Sequence, residues 1–131
     1  MALGSAAPPT WRLRVEVDEP EAVVVVALTA DGVGVEGTAG FASAGPAREA
    51  GAAGGWELYA LGVEPALQGS GAADDLVRAV LGQRACVVWV LTGNARARSF
   101  YARHGFAADG SLRMHETLGA SEVRLSRSGP P

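Results

Sequence analysis

Residues 11–17 (WRLRVEV) alternate apolar and polar, which predicts a strand with one buried face. Residues 18–20 (DEP) predict a turn. Residues 22–29 (AVVVVALT) are continuous and β-branched, the pattern of a central strand. Asp31-Gly32 predicts a hairpin turn, and residues 33–42 return as a strand that its glycines weaken or bulge. Residues 45–55 (GPAREAGAAGG) predict a mobile small-residue loop. Residues 56–63 (WELYALGV) predict a strand ended by Glu64-Pro65, and residues 68–73 (QGSGAA) a glycine turn. Apolar positions 76, 77, 80 and 81 predict a helix over 74–83. Residues 86–91 (CVVWVL) predict a fully apolar strand. Residues 94–104 (NARARSFYARH) predict a helix closed by Gly105. A strand then opens at Phe106, a polar loop covers 110–119, and a last strand covers 121–126.

The order is four strands, helix, strand, helix and two strands. It predicts a mixed α/β fold, with antiparallel hairpins first and a strand–helix–strand unit later. Residues 1–10 read as a flexible tail, 11–127 as a single domain and 128–131 as a disordered tail.

Composition narrows the chemistry. The chain has 131 residues, 48% of them hydrophobic and 19% charged, the profile of one globular domain. All 11 basic residues are arginine, so a Walker A loop, a protein kinase site and a pyridoxal-phosphate Schiff base are excluded. Absent lysine with abundant alanine and glycine suggests a GC-rich bacterial genome. The single cysteine, Cys86, excludes an internal disulfide and a multi-cysteine zinc site, and in its apolar run it reads as a small core residue. His104 and His115 have no metal-ligand spacing, so no metal is expected. No signal peptide or membrane span is legible, and the expectation is a cytoplasmic protein. Residues 1–64 hold three arginines and nine acids, and residues 65–131 eight arginines and five acids. That distribution lacks the basic patch of a nucleic-acid binder.

Two glycine motifs read differently. Gly32-x-Gly34-x-x-Gly37 matches a dinucleotide fingerprint, but it joins two extended segments where the fingerprint needs a helix to open. Gln68-Gly69-Ser70-Gly71-Ala72-Ala73 does follow a strand and open a helix. Free N–H groups at such a start favour an anion, and small residues let it approach.

WELYALGVEPALQGSGAA, a helix, an apolar strand and NARARSFYARHGF together resemble the GNAT superfamily of acetyl-CoA-dependent N-acetyltransferases. The family pattern runs V-x-P, then Q/R-x-x-G-x-G/A, then N-x-x-A-x-x-F-Y-x-x-x-G-F. Val63-Glu64-Pro65 matches the first part, and Gln68, Gly71 and Ala73 the second. Asn94, Ala97, Phe100, Tyr101, Gly105 and Phe106 match the third. The resemblance covers residues 56–127. It implies a mixed, mostly antiparallel sheet of six to seven strands flanked by two helices.

It also implies site roles. The backbone of Gln68, Gly69, Ser70, Gly71, Ala72 and Ala73 would hold the pyrophosphate of acetyl-CoA. Leu61 and Val63 would pair with the pantetheine arm, and the Val63 N–H would polarise the acetyl carbonyl. Asn94 would touch pantetheine, and Tyr101 would protonate the leaving thiolate. A central-strand carboxylate would be the base, with Glu57 first by position and Glu64 second; the alternative for Glu57 is a structural role. The implied partners are acetyl-CoA and an amine of a small molecule or peptide, with no nucleic acid and no membrane.

Two departures stand out. Residues 18–21 alone separate the first two strands, so either the family's helix pair is missing or the true first strand and its helices are absent from this chain. An open acceptor site of this kind, with exposed strand edges, suggests a homodimer. Ser70 stands in a common arginine position, and Asp74-Asp75 would repel a diphosphate. These departures favour a rival reading, a degenerate GNAT-like interaction module without catalysis.

Overall fold

The computed structural model describes residues 10–19, 22–30, 34 and 36–130. The strands are β1 (Arg12–Glu19), β2 (Ala22–Ala30), β3 (Glu36–Pro46), β4 (Trp56–Val63), β5 (Cys86–Leu91), β6 (Ala107–Met114) and β7 (Ser121–Arg127). Helix α1 (Ala72–Leu81) lies between β4 and β5 in the chain, and α2 (Ala95–Arg103) between β5 and β6. The strands form one mixed sheet in the order β1-β2-β3-β4-β5-β7-β6. Only two residues separate β1 from β2, so no helix pair lies between these two strands.

The chain packs as two compact units. One comprises residues up to Ala44 together with Ala60–Gly82; the other comprises Gly45–Tyr59 and the chain from Gln83 onward.

In the first unit β1, β2 and β3 form an antiparallel meander. Val15↔Val25↔Ala42 and Leu13↔Ala27↔Gly40 share one face. Val25, Ala27 and Ala42 there are fully buried, as are Leu76 and Val77 of α1. A Cβ on Gly40 would come within 2.9 Å of Val63 Cγ1 and 3.3 Å of Leu76 Cδ1. Glycine at this position lets β4 and α1 close onto β3. Gly37 lies in β3 opposite Thr29, so the first glycine motif continues as strand and opens no helix. The expected Asp31-Gly32 turn and residues 1–9 fall outside the described residues.

In the second unit β5 pairs in parallel with β4 at Glu57↔Val87 and Leu58↔Val88, and antiparallel with β7. β6 then pairs with β7. Cys86, Val87 and Leu125 are buried, with Phe106 beside them in burial.

Several boundaries differ from expectation. β1 runs through Asp18 and Glu19, where a turn was expected, and α1 spans Ala72–Leu81 against the expected 74–83. β3 continues four residues past 42, because strand pairing overrides its small glycine-rich sequence. The 110–119 loop is shorter, since residues up to Met114 extend β6. Most β6 side chains are exposed, so its strand carries no apolar alternation to read. The 47–55 segment is tied down where mobility was expected. Ala47 N–H donates to Gly55 O at 2.9 Å, and the side chains of Arg48 and Glu49 both have distant partners.

Candidate active site

The glycine turn sits in the first unit. After β4 the chain makes a short 3-10 turn at Pro65–Leu67, and Leu67 is buried. Ser70 N–H donates to Leu67 O at 3.1 Å, and Ser70 Oγ donates to the same oxygen at 2.5 Å. Ser70 Oγ also accepts from Ala72 N–H at 3.2 Å. Ser70, in the place of the common arginine, thus braces the turn. Gly69 has φ +77° and Gly71 φ +97°, values that L side chains rarely adopt. Gly71 is the N-cap of α1 and supplies no side-chain cap. The first-turn N–H groups of a helix have no intrahelical acceptor, and the dipole adds positive potential there. A Cβ on Gly69 would meet nothing within 4 Å, which leaves that side of the turn open. This backbone can therefore take an anion.

Trp11, the residue just before β1, supports the turn. Its ring approaches to 4.0 Å from where a Gly71 Cβ would lie. It packs on the buried cluster of Ala39, Leu67 and Ala72. Its indole Nε1–H donates to Asp75 Oδ2 at 3.1 Å. Arg78 Nη1 donates to the other Asp75 oxygen at 3.5 Å. One of the two acids expected to repel a diphosphate is thus engaged by two donors. Sequence reading missed Trp11 because its partner is 64 residues away.

Leu61 and Val63 are half-buried near the end of β4. The parallel ladder with β5 covers Glu57 and Leu58, and among the described residues neither Leu61 nor Val63 belongs to it. Glu64, the second candidate base, is exposed, and its N–H donates to Ala39 O at 2.8 Å.

The other candidates lie in the second unit. Asn94 is the exposed N-cap of α2, and its Oδ1 accepts from Ala97 N–H at 3.0 Å. Tyr101, on the same helix, is 7% exposed. It packs edge-on against Phe100 and Phe106, with ring centroids at 5.2 and 5.6 Å. Burial disfavours the phenolate and pushes the Tyr101 pKa up to about 12. The hydroxyl therefore keeps its proton at neutral pH. Burial likewise pushes the Cys86 thiol up, against the opposing influence of Arg127 and Arg84, so Cys86 is not an activated nucleophile.

Glu57 is 2% exposed, and both its oxygens are taken by one residue. Arg48 Nη2 donates to Oε2 at 2.6 Å, and Arg48 N–H donates to Oε1 at 3.1 Å. The same guanidinium lies 4.7 Å from the Tyr59 ring centroid. Beside this pair, Trp89 Nε1–H and Arg124 Nη1 both donate to Glu49 Oε1, at 2.9 and 3.1 Å. Arg124 Nε also donates to Asp109 at 2.6 Å. Burial alone would push the Asp109 carboxyl up. Hydrogen bonds from Ser126, Ser111 and Arg124 outweigh it and hold the carboxyl well below the usual carboxylate range.

A seven-stranded mixed sheet, a strand followed by a glycine turn at a helix start, and an Asn-capped helix carrying a buried tyrosine define a mixed α/β architecture. The Acetyltransferase (GNAT) domain model matches residues 20–108, and the chain belongs to the GNAT acetyltransferase family. A GNAT-family protein from Desulfovibrio desulfuricans is 26% identical, with 82% of this chain and 69% of that one covered and a TM-score of 0.63. The IAA acetyltransferase from Bacillus cereus is 14% identical, with 90% and 99% covered and a TM-score of 0.68. The NatC complex bound to Gag peptide and CoA is 15% identical, with 82% and 71% covered and a TM-score of 0.65. These last two share the fold. No curated protein matches the sequence. Among the described residues no helix is long and apolar enough to cross a membrane.

Proposed function

We propose that this chain is an N-acetyltransferase that moves acetyl from acetyl-CoA to a primary amine of a small molecule or peptide, by direct attack in a ternary complex. The observation that carries the proposal is the start of α1, where Gly69 and Gly71 hold the turn open and Ser70 Oγ takes the Ala72 N–H. Family membership supplies the reaction class.

In this reading the backbone of residues 68–73 holds the diphosphate. Leu61 and Val63, beyond the β5 ladder, keep main-chain groups for the pantetheine amides, and Asn94 offers its amide N–H groups to the same arm. Bound acetyl-CoA supplies a thioester, an activated acyl group. The Val63 N–H stabilises the oxyanion as the amine nitrogen adds to the acetyl carbon. Tyr101 delivers its proton to sulfur as the carbon–sulfur bond breaks, and a base removes the amine proton. The products are an amide and free CoA.

Glu57 keeps its place as a candidate base only against its ion pair with Arg48, which favours the structural role. Glu57→Gln separates the two. A structural role lowers the melting temperature by several degrees and leaves turnover of the folded fraction within about threefold. A base role lowers turnover by about 10²-fold or more at little cost in stability. Thermal unfolding and steady-state kinetics on the same sample decide between them.

A cytoplasmic homodimer with one domain over 11–127 completes the proposal. The rival reading, a GNAT-fold module without catalysis, draws on the two-residue connection between β1 and β2, which leaves no helices to wall an acceptor. Calorimetric titration with acetyl-CoA tests the proposal. Micromolar binding, followed by CoA release with a member of an amine panel, supports the transferase. No binding at millimolar acetyl-CoA favours the module.

A further inference from the structure

β1 ends the sheet, and among the described residues its outer edge has no partner strand. Such an edge offers unpaired N–H and C=O groups to another chain, and edges of monomers are usually blunted. This one carries Arg14 and Glu16, both exposed and paired with each other at 2.5 Å, with Val15 between them 61% exposed. The opposite edge strand, β6, is also bulged and also exposes apolar side chains, Leu112 and Met114, but its charges are committed inward. A bulge interrupts β6 between Ala108 and Leu112, and Arg113 and Asp109 on it are committed to Glu122 and Arg124 of β7.

We propose that β1 pairs with β1 of a second copy of this chain, antiparallel, about a two-fold axis at Val15. Residues directly opposite in an antiparallel ladder must both turn their main-chain groups toward the partner strand, or both away from it. A two-fold axis between identical strands therefore passes through a residue and never between two residues. Only a few registers are open. An axis at Leu13 sets Arg12 against Arg14. An axis at Arg14 sets that arginine against its own copy, and an axis at Glu16 does the same for the glutamate. An axis at Val15 sets Arg14 against Glu16 on both sides, so four charges alternate in sign around it. It also sets Val15 against Val15, which covers an exposed apolar side chain, and places Leu13 and Val17 at opposed positions. Opposite charges directly across a ladder stabilise it and like charges destabilise it, so charge selects this register. The bulge between Glu16 and Glu19 falls outside the two Arg14–Glu16 pairs and shortens the regular ladder, giving a concentration-dependent dimer.

The inference does not depend on acetyl transfer, because its readout is mass. Sedimentation or light scattering of the full chain is expected to rise with concentration from 13.3 kDa to twice that value. Arg14→Glu alone opposes two acids, and Glu16→Arg alone opposes two arginines. Each is expected to weaken self-association at least tenfold while keeping the circular dichroism of the parent. An equimolar mixture of the two variants opposes unlike charges again and is expected to restore the dimer, as is the double variant R14E/E16R. A monomeric parent, single variants that associate like the parent, or a mixture that stays monomeric overturns the proposal.

Discussion

Tyr101→Phe is expected to lower turnover by about 10²–10⁴-fold, the usual worth of a positioned general acid. Phenylalanine fits the slot between Phe100 and Phe106, so the ring contacts survive and only the proton is lost. The acetyl-CoA affinity should change little. Burial sets where in that range the effect falls. It keeps the proton on the hydroxyl, with a pKa of about 12 against about 10 for a free phenol. It also makes the proton harder to give up, since a thiolate titrates near 8.5. A buried acid this weak works only as the carbon–sulfur bond breaks and charge builds on sulfur, so the loss should lie nearer 10². The same burial has a signature in stability. A phenol whose pKa is raised by folding supports the fold fully below pH 10 and loses that support as pH rises toward 12. Tyr101→Phe should therefore flatten alkaline unfolding between pH 10 and 12. Parent-like turnover in this variant would remove the acid role, whatever the alkaline melt showed.

The parts legible in the sequence are those fixed by local pattern. The strands at Trp56–Val63 and Cys86–Leu91 have the expected bounds, because one ends at Glu64-Pro65 and the other is continuously apolar. α2 is bracketed by Asn94 as N-cap and by Gly105 at φ +88°, both readable from residue type. The turn at 68–73 is legible for the same reason, since its glycines take φ values that other residues avoid.

What the sequence hid depends on side chains far apart along the chain. Residues 47–55 are small and polar and invite a mobile loop, yet Glu49 reaches Trp89 and Arg124, 40 and 75 residues away. Glu57 sits in an apolar strand and invites a catalytic role, and its partner Arg48 lies in that same unpromising loop. The second half of β6 is hidden because it is held by main-chain bonds to β7, which leave no mark on residue type. Asp75 looked like a charge set against the anion, and only the fold brings Trp11 to it.

Trp11 is accordingly where a substitution should have a large effect outside the motif. Trp11→Ala removes a ring packed on Ala39, Leu67 and Ala72, which is expected to cost about 2–3 kcal/mol, the lower end for a large-to-small change because the ring is half-buried. Trp11→Phe is the sharper probe, because most of the packing remains while the N–H donor to Asp75 disappears. Hydrogen bonds to charged groups contribute about 1.5–3 kcal/mol, and partial exposure of Asp75 puts this one at the low end. Freed from Trp11, the Asp75 carboxylate can swing toward the start of α1, where it competes with a diphosphate for the same N–H groups. Acetyl-CoA affinity should fall by about tenfold, the equivalent of about 1.4 kcal/mol, while turnover at saturating acetyl-CoA stays near the parent value. Trp11→Phe paired with Asp75→Asn should recover most of that affinity, because the competing charge is gone. Titration of the four proteins completes the cycle. Equal losses in the presence and absence of the Asp75 charge would show that Trp11 acts on the turn by packing alone.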